Sequence, residues 1–241
     1  MKISNFYSSN FNREKRSNNS IKIITIHYTG MQSERESIIR LCNPKSKVSS
    51  HLAIGQNGKI YRLVQDNQIA WHAGKSCWGK YKNLNKYSIG IELVNKGHQF
   101  GYTNFKKKQL SSLIKICKIL IKKYKIKKRN VVGHSDIAPL RKIDPGEKFP
   151  WKQLAYNNIG TWYRCKPSLL RKYRNIKISK KRDKIKFIKN LNKIGYCVSN
   201  KKKPFLTKIL KAFQRHYRQE LINGHADKEC LIIAQKLSKK L

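Results

Sequence analysis

Between positions 131 and 151 the chain reads VVGHSDIAPLRKIDPGEKFPW and holds a histidine (His134), a lysine (Lys142) and a carboxylate (Asp144). Two potential metal ligands and a cation this close in sequence point to a site. Val131 and Val132 read as a short strand that delivers His134 to the edge of a sheet, and Gly133 lets backbone or ligand come close. Pro139, Pro145 and Gly146 oppose continuation of helix or strand, so Lys142 and Asp144 are expected on a constrained loop. A zinc ion in a hydrolytic site usually takes three protein ligands and keeps a fourth position for water. The third candidate lies upstream in IKIITIHYTG, where His27 ends an apolar, β-branched run that reads as a buried strand. His27, His134 and Asp144 are therefore the expected ligand set.

The elements that must position these residues follow from patterning. Ser88 to Asn95 reads as a strand with Ile89, Ile91 and Leu93 on one face and Gly90, Glu92 and Val94 on the other. A glutamate inside an apolar strand is costly unless paired or functional. The chain has only twelve acidic residues, which makes Glu92 informative. Leu110, Leu113, Ile114, Cys117, Leu120, Ile121 and Tyr124 recur at helical spacing and predict an amphipathic helix over a sheet. Ser33 with Glu36 forms a capping box that opens a short helix ending at Asn43-Pro44. Asn57-Gly58 between His51–Gly55 and Ile60–Val64 predicts a hairpin. His51 and His72 compete for the ligand role; the expectation is a structural histidine at 51 and a cleft wall or substrate contact at 72. The order strand, helix, hairpin, strand, helix, strand predicts an α/β fold, a mixed central sheet flanked by helices; beyond it the chain reads as a small all-α unit of two or three short helices separated by Gly195-Tyr196 and Gly224.

Composition sets the outer bounds. With 241 residues, 39% of them hydrophobic, the chain can hold one ordinary domain and a small one. No apolar run approaches a membrane span, and the polar first twenty residues lack the apolar centre of a signal peptide. The net charge of +43 draws attention to anionic partners. The basic residues are spread along the whole chain, however, which argues against a nucleic-acid-binding arm. The six cysteines form no CxxC pair, and nothing in their spacing asks for disulfides.

Five motifs in order, IHYT at 26–29, AWHAG at 70–74, SIGIELVN at 88–95, VVGHSDIAP at 131–139 and RKIDPGEKFPW at 141–151, make the chain resemble the zinc-dependent N-acetylmuramoyl-L-alanine amidases of the type 2 amidase family. The resemblance covers residues 21 to about 160. It implies one zinc ion per chain and hydrolysis of the amide between N-acetylmuramic acid and L-alanine in peptidoglycan or (anhydro)muropeptides. On this reading Glu92 is the general base and matches the glutamate of the family's IGIEL motif; Lys142 serves the developing oxyanion. Tyr28, Trp71, His72 and Trp78 are expected to line the cleft. The alternative is a non-catalytic peptidoglycan-recognition protein. Further on, LNKIGYCV, AFQRHY and INGHAD resemble the small helical peptidoglycan-binding module attached to wall hydrolases. The expected organisation is a polar arm at 1–20, the catalytic domain at 21–160, a basic linker at 161–184 and the binding module at 185–241. The module favours the periplasm or cell envelope, and the lack of a visible signal peptide favours the cytoplasm.

Overall fold

In the computed structural model, which describes residues 3–198 and 203–240, the apolar runs become a six-stranded mixed sheet. Residues 1–2 of the expected arm, and 199–202 and 241 of the expected module, lie outside the described residues. The strands in chain order are β1 Ile3–Asn5, β2 Phe11–Asn12, β3 Ile23–Tyr28, β4 Leu52–Ile54, β5 Ile60–Arg62, β6 Ile69–Ala70, β7 Cys77–Trp78, β8 Tyr81–Lys82, β9 Ser88–Leu93 and β10 Val131–Gly133. The sheet runs β1-β5-β4-β9-β3-β10, and only the β4–β5 pair, the hairpin around Asn57-Gly58, is antiparallel. The helices are α1 Glu34–Cys42, α2 Lys107–Tyr124, α3 His134–Ile137, α4 Trp151–Tyr156, α5 Pro167–Arg171, α6 Lys181–Ile194, α7 Lys203–Tyr217 and α8 Lys228–Ser238. Ser33 caps α1 by accepting the Glu36 N–H at 3.1 Å.

The two faces of the central strands have different tasks. Ile24 and Ile26 of β3, with Ile89, Ile91 and Leu93 of β9, pack against Leu113, Ile116, Cys117 and Leu120 of α2. Burial of each such aliphatic side chain contributes roughly 1.5–3 kcal/mol. The alternate residues face the other way and carry the polar groups. In the parallel register His27 lies opposite Glu92, and Glu92 opposite Ala53. Gly133 pairs with Ile26, so His134, the next residue, falls beside His27 where β10 turns into α3.

Two expectations need correction. The first segment is no loose arm: β1 adds an edge strand to β5, Ser8 donates to Leu41 O at 2.6 Å, and buried Arg16 donates to Asp66 O, Asn85 O and Ser88 O at 2.8–2.9 Å. Its polar composition reads as a tail because hydrogen bonds, more than apolar burial, hold it down. The stretch 161–184 is more than a linker, since Leu170 of α5 and Ile178 are buried among α6, α7 and α8. That same apolar cluster takes in Ile23, Trp78, Val132 and Ile137, so one core runs beneath the catalytic elements and the C-terminal helices. Cys77 and Cys197 form a disulfide across 120 residues, a pairing that the spacing neither asked for nor excluded. Cys117 is the buried free thiol that its helical position implied.

Candidate active site

His27 at the end of β3, His134 at the start of α3 and Asp144 on the following loop converge. His27 Nδ1 lies 3.0 Å from His134 Nδ1, and each of these nitrogens lies 3.1 Å from Asp144 Oδ2. All three residues are buried, and their ligand atoms lie within 4.8 Å of one another. The Asp144–Pro145 peptide bond is cis, and Ser135 N–H donates to Asp144 O at 2.8 Å, which ties the loop back to α3. Gly133 has to be small, because a Cβ there would meet Pro145 Cδ at 2.7 Å.

A chain of hydrogen bonds fixes the histidine tautomers. Ser88 Oγ donates to Leu84 O at 2.6 Å and so accepts from His72 Nε2 at 3.2 Å. That leaves His72 Nδ1 to accept from His27 Nε2 at 3.0 Å, and the His27 Nδ1 lone pair points to the convergence point. His134 Nε2 faces Ala73 O at 3.3 Å, an acceptor, so its Nδ1 lone pair is likewise free. Such outer partners orient metal-binding imidazoles and raise their basicity. Burial is the largest influence on His27 and, with the neighbouring His134, lowers its pKa to about 4, so the ring is neutral at ordinary pH. Burial opposes ionisation of Asp144, yet the two histidines outweigh it and hold the carboxyl well below the usual range. Two imidazole nitrogens and one carboxylate oxygen, with no thiolate beside them among the described residues, are a donor set suited to zinc in a hydrolytic site.

Glu92 and Lys142 line the same cleft, a cavity of about 330 Å³. Glu92 Oε2 is shut away from solvent and has no hydrogen-bond partner among the described residues. Burial first, then the charge of Asp144, raises the Glu92 pKa to about 8, with Lys142 opposing. The Lys142 ammonium has no hydrogen bond or ion pair within the chain among the described residues. Tyr28 and Trp71 also line the cleft. Tyr28 OH lies 2.9 Å from His98 Nδ1, and His98 Nε2 lies 3.1 Å from Glu147.

One of the cleft expectations changes. His72 is part of the cleft lining, standing behind His27 with both ring nitrogens engaged, and its ring lies against Gly90, where a Cβ would meet it at 2.5 Å. Trp78 is 2% exposed, stacks edge-on against Tyr196 at 5.0 Å and donates to Arg129 O; it belongs to the seam with the C-terminal helices and not to the cleft. His51, expected as a structural histidine, is fully buried, and its Nδ1 accepts from Gly90 N–H at 3.0 Å. Sequence reasoning missed Ser88 and Asn85. The Asn85 amide oxygen accepts from His72 N–H and Ala73 N–H, which holds the segment carrying both outer partners. A larger concavity, about 1240 Å³, lies along residues 127–129 and 152–167 and holds none of the converging ligands.

Two histidines and an aspartate gathered beside Glu92, where β3 and β10 end, form a group that could hold a metal ion. The family model for N-acetylmuramoyl-L-alanine amidase matches residues 17–147, and the chain belongs to that family. It is 38% identical over 240 residues to N-acetylmuramoyl-L-alanine amidase AmiD of Escherichia coli K12, covering 91% of this chain and 83% of that protein. The 1,6-anhydro-N-acetylmuramyl-L-alanine amidase AmpD of Haemophilus influenzae is 42% identical over 108 residues, 44% of this chain and 56% of that one. Among solved structures, Escherichia coli AmiD in complex with anhydro-N-acetylmuramic acid-L-Ala-D-γ-Glu-L-Lys superposes with a TM-score of 0.80 at 34% identity, covering 95% of this chain and 92% of that one. AmpDh3 from Pseudomonas aeruginosa in complex with anhydromuramic pentapeptide gives 0.81 at 29% identity, covering 95% and 94%.

Proposed function

We propose that this amidase hydrolyses the bond between the lactyl carbonyl of N-acetylmuramic acid and the L-alanine nitrogen in peptidoglycan or anhydro-muropeptides, as a zinc enzyme with His27, His134 and Asp144 as ligands. The observation that carries the reading is the convergence of these three side chains beside an unpartnered Glu92 in one cleft. Zinc held there would supply a water of lowered pKa and polarise the substrate carbonyl. Relatives of this chain are described in complex with anhydromuramic peptides, which supports a muropeptide as substrate.

The chain's own groups do the rest. Glu92 accepts the proton of the attacking water and returns it to the departing alanine amine. A carboxylate whose pKa is raised towards neutrality by burial and by Asp144 is a stronger proton acceptor than an ordinary one, and a cation held at the site would favour its ionised form. Lys142 brings an unengaged ammonium to the oxygen that gains charge, where a positioned donor is worth roughly 3 kcal/mol. Tyr28 and Trp71 offer aromatic faces to the sugar ring and the stem-peptide methyls.

The C-terminal helices are read as a peptidoglycan-binding-like unit, which favours the intact polymer and the cell envelope. The Cys77–Cys197 disulfide supports an oxidising compartment over the cytoplasm. No described helix is long and apolar enough to cross a membrane. Incubation with a muramyl peptide, followed by mass spectrometry, tests the reading. Release of a stem peptide with a free L-alanine amino end is expected. Binding without cleavage would instead favour the recognition-protein alternative.

A further inference from the structure

We infer that the C-terminal helices act as a clamp that positions the metal-binding loop, beyond any role in gripping the wall; this rests on the metal reading above. The loop from His134 to Trp151 carries two proposed ligands and Lys142, yet it has no strand pairing to hold its shape between α3 and α4. C-terminal side chains grip it at three places. Near its start, Asp136 receives Tyr196 OH on Oδ1 at 2.6 Å, while its Oδ2 lies 2.7 Å from His216 Nδ1. In the middle, Lys208 Nζ donates to Leu140 O at 3.0 Å. Towards its end, Gln219 Nε2 donates to Phe149 O at 2.6 Å, and His216 stacks on Trp151 at 3.9 Å.

Asp136 is the point where this clamp meets the metal site. It stands two residues after His134, and its Oδ2 also accepts Gly133 N–H at 2.7 Å, so it caps the turn from which His134 projects. Asp136, Tyr196 and His216 are all at most 2% exposed. Among the described residues His216 Nε2 has no hydrogen-bond partner, and the ring's hydrogen bond there goes to Asp136. A buried carboxylate stripped of one donor reorients or draws in water, because leaving it unsatisfied is costly. Either response shifts the Gly133–His134 turn. Zinc–nitrogen bonds of roughly 2.0–2.1 Å tolerate little displacement of a ligand. Tyr196 and His216 are thus positioning residues that act through Asp136.

The full-length chain tests this with Tyr196→Phe, which keeps the ring, and His216→Leu, which removes the donor. His216→Asn, which keeps a donor at the Nδ1 position, serves as rescue. Zinc affinity is read by competition with a chelating dye, beside kcat and KM on a soluble muropeptide and the Tm. Tyr196→Phe and His216→Leu should each weaken zinc about tenfold, the low end for loss of an outer partner. They should lower kcat with KM unchanged, and His216→Asn should recover most of both. Zinc affinity within twofold of wild type, with only Tm lowered, would reduce the contacts to packing and overturn the inference. Failure of the wild-type chain to take up zinc would overturn the metal reading itself, and is seen separately.

Discussion

Substitution Glu92→Gln in the metal-free protein probes the polar row of the sheet most sharply. Glu92 has its Oε2 buried and unpartnered, and its pKa stands at about 8 in the folded chain against an ordinary 4.5. The folded state therefore holds the proton more tightly than the unfolded state. The resulting stability is fully present below about pH 4.5, declines as pH rises, and is lost once pH passes 8. At roughly 1.4 kcal/mol per pH unit, the loss between pH 4 and pH 9 is on the order of 5 kcal/mol. Glutamine has nearly the same shape and no charge, so it removes this dependence. In chelator-treated protein, Glu92→Gln should match wild type at pH 4 and exceed it at pH 9, by about 10 °C or more in Tm for a chain of this size. Every other titrating group is common to both proteins, so the difference between the two curves isolates Glu92. Parallel curves from pH 4 to 9 would refute the claim that Glu92 sits uncompensated. Zinc should narrow the gap, because a nearby cation favours the carboxylate.

Other perturbations reach the remaining parts of the site. Ser88→Ala removes the acceptor that sets the His72 tautomer and should weaken zinc about 10-fold or more in a chelator competition, with the fold intact by circular dichroism; unchanged affinity would remove Ser88 from the relay. Lys142→Met should lower kcat on a muropeptide by about 10²–10³ with KM nearly constant, whereas a KM effect alone would make it a substrate-binding lysine. Breaking the Cys77–Cys197 bridge by Cys197→Ser should cost up to about 4–5 kcal/mol in denaturant unfolding, given its 120-residue separation. An unaltered midpoint under oxidising conditions would mean that the bridge does not form.

What the sequence made legible, and what it hid, divides along physical lines. His27 stood out because an apolar strand ends there, His134 because two valines and a glycine precede it, and Asp144 because prolines and a glycine confine its loop. Glu92 stood out as a charge inside an apolar strand, and the structure brings these four and Lys142 to one cleft. Partnerships that depend on tertiary placement left no such trace. Ser88 is an ordinary strand residue until His72 folds against Gly90, which is possible only because position 90 has no Cβ. Trp78 resembled a cleft aromatic, yet its place is decided by Gly195 far along the chain, where φ is +137° and the indole occupies the space of a side chain. Polar residues 8, 10 and 16 read as solvent-facing, and they are buried because backbone carbonyls of other segments receive their hydrogen bonds.

The central claim is that one zinc ion, held by His27, His134 and Asp144, is needed for amide cleavage. Its most direct test is an activity titration: chelator-stripped protein receives zinc in sub-stoichiometric steps, and muropeptide cleavage is followed by mass spectrometry, with Asp144→Ala alongside. Activity that starts from none, rises linearly and breaks at one zinc per chain, with Asp144→Ala inactive throughout, is the expected result. Full cleavage by the stripped protein, or by Asp144→Ala at the same zinc level, would contradict it.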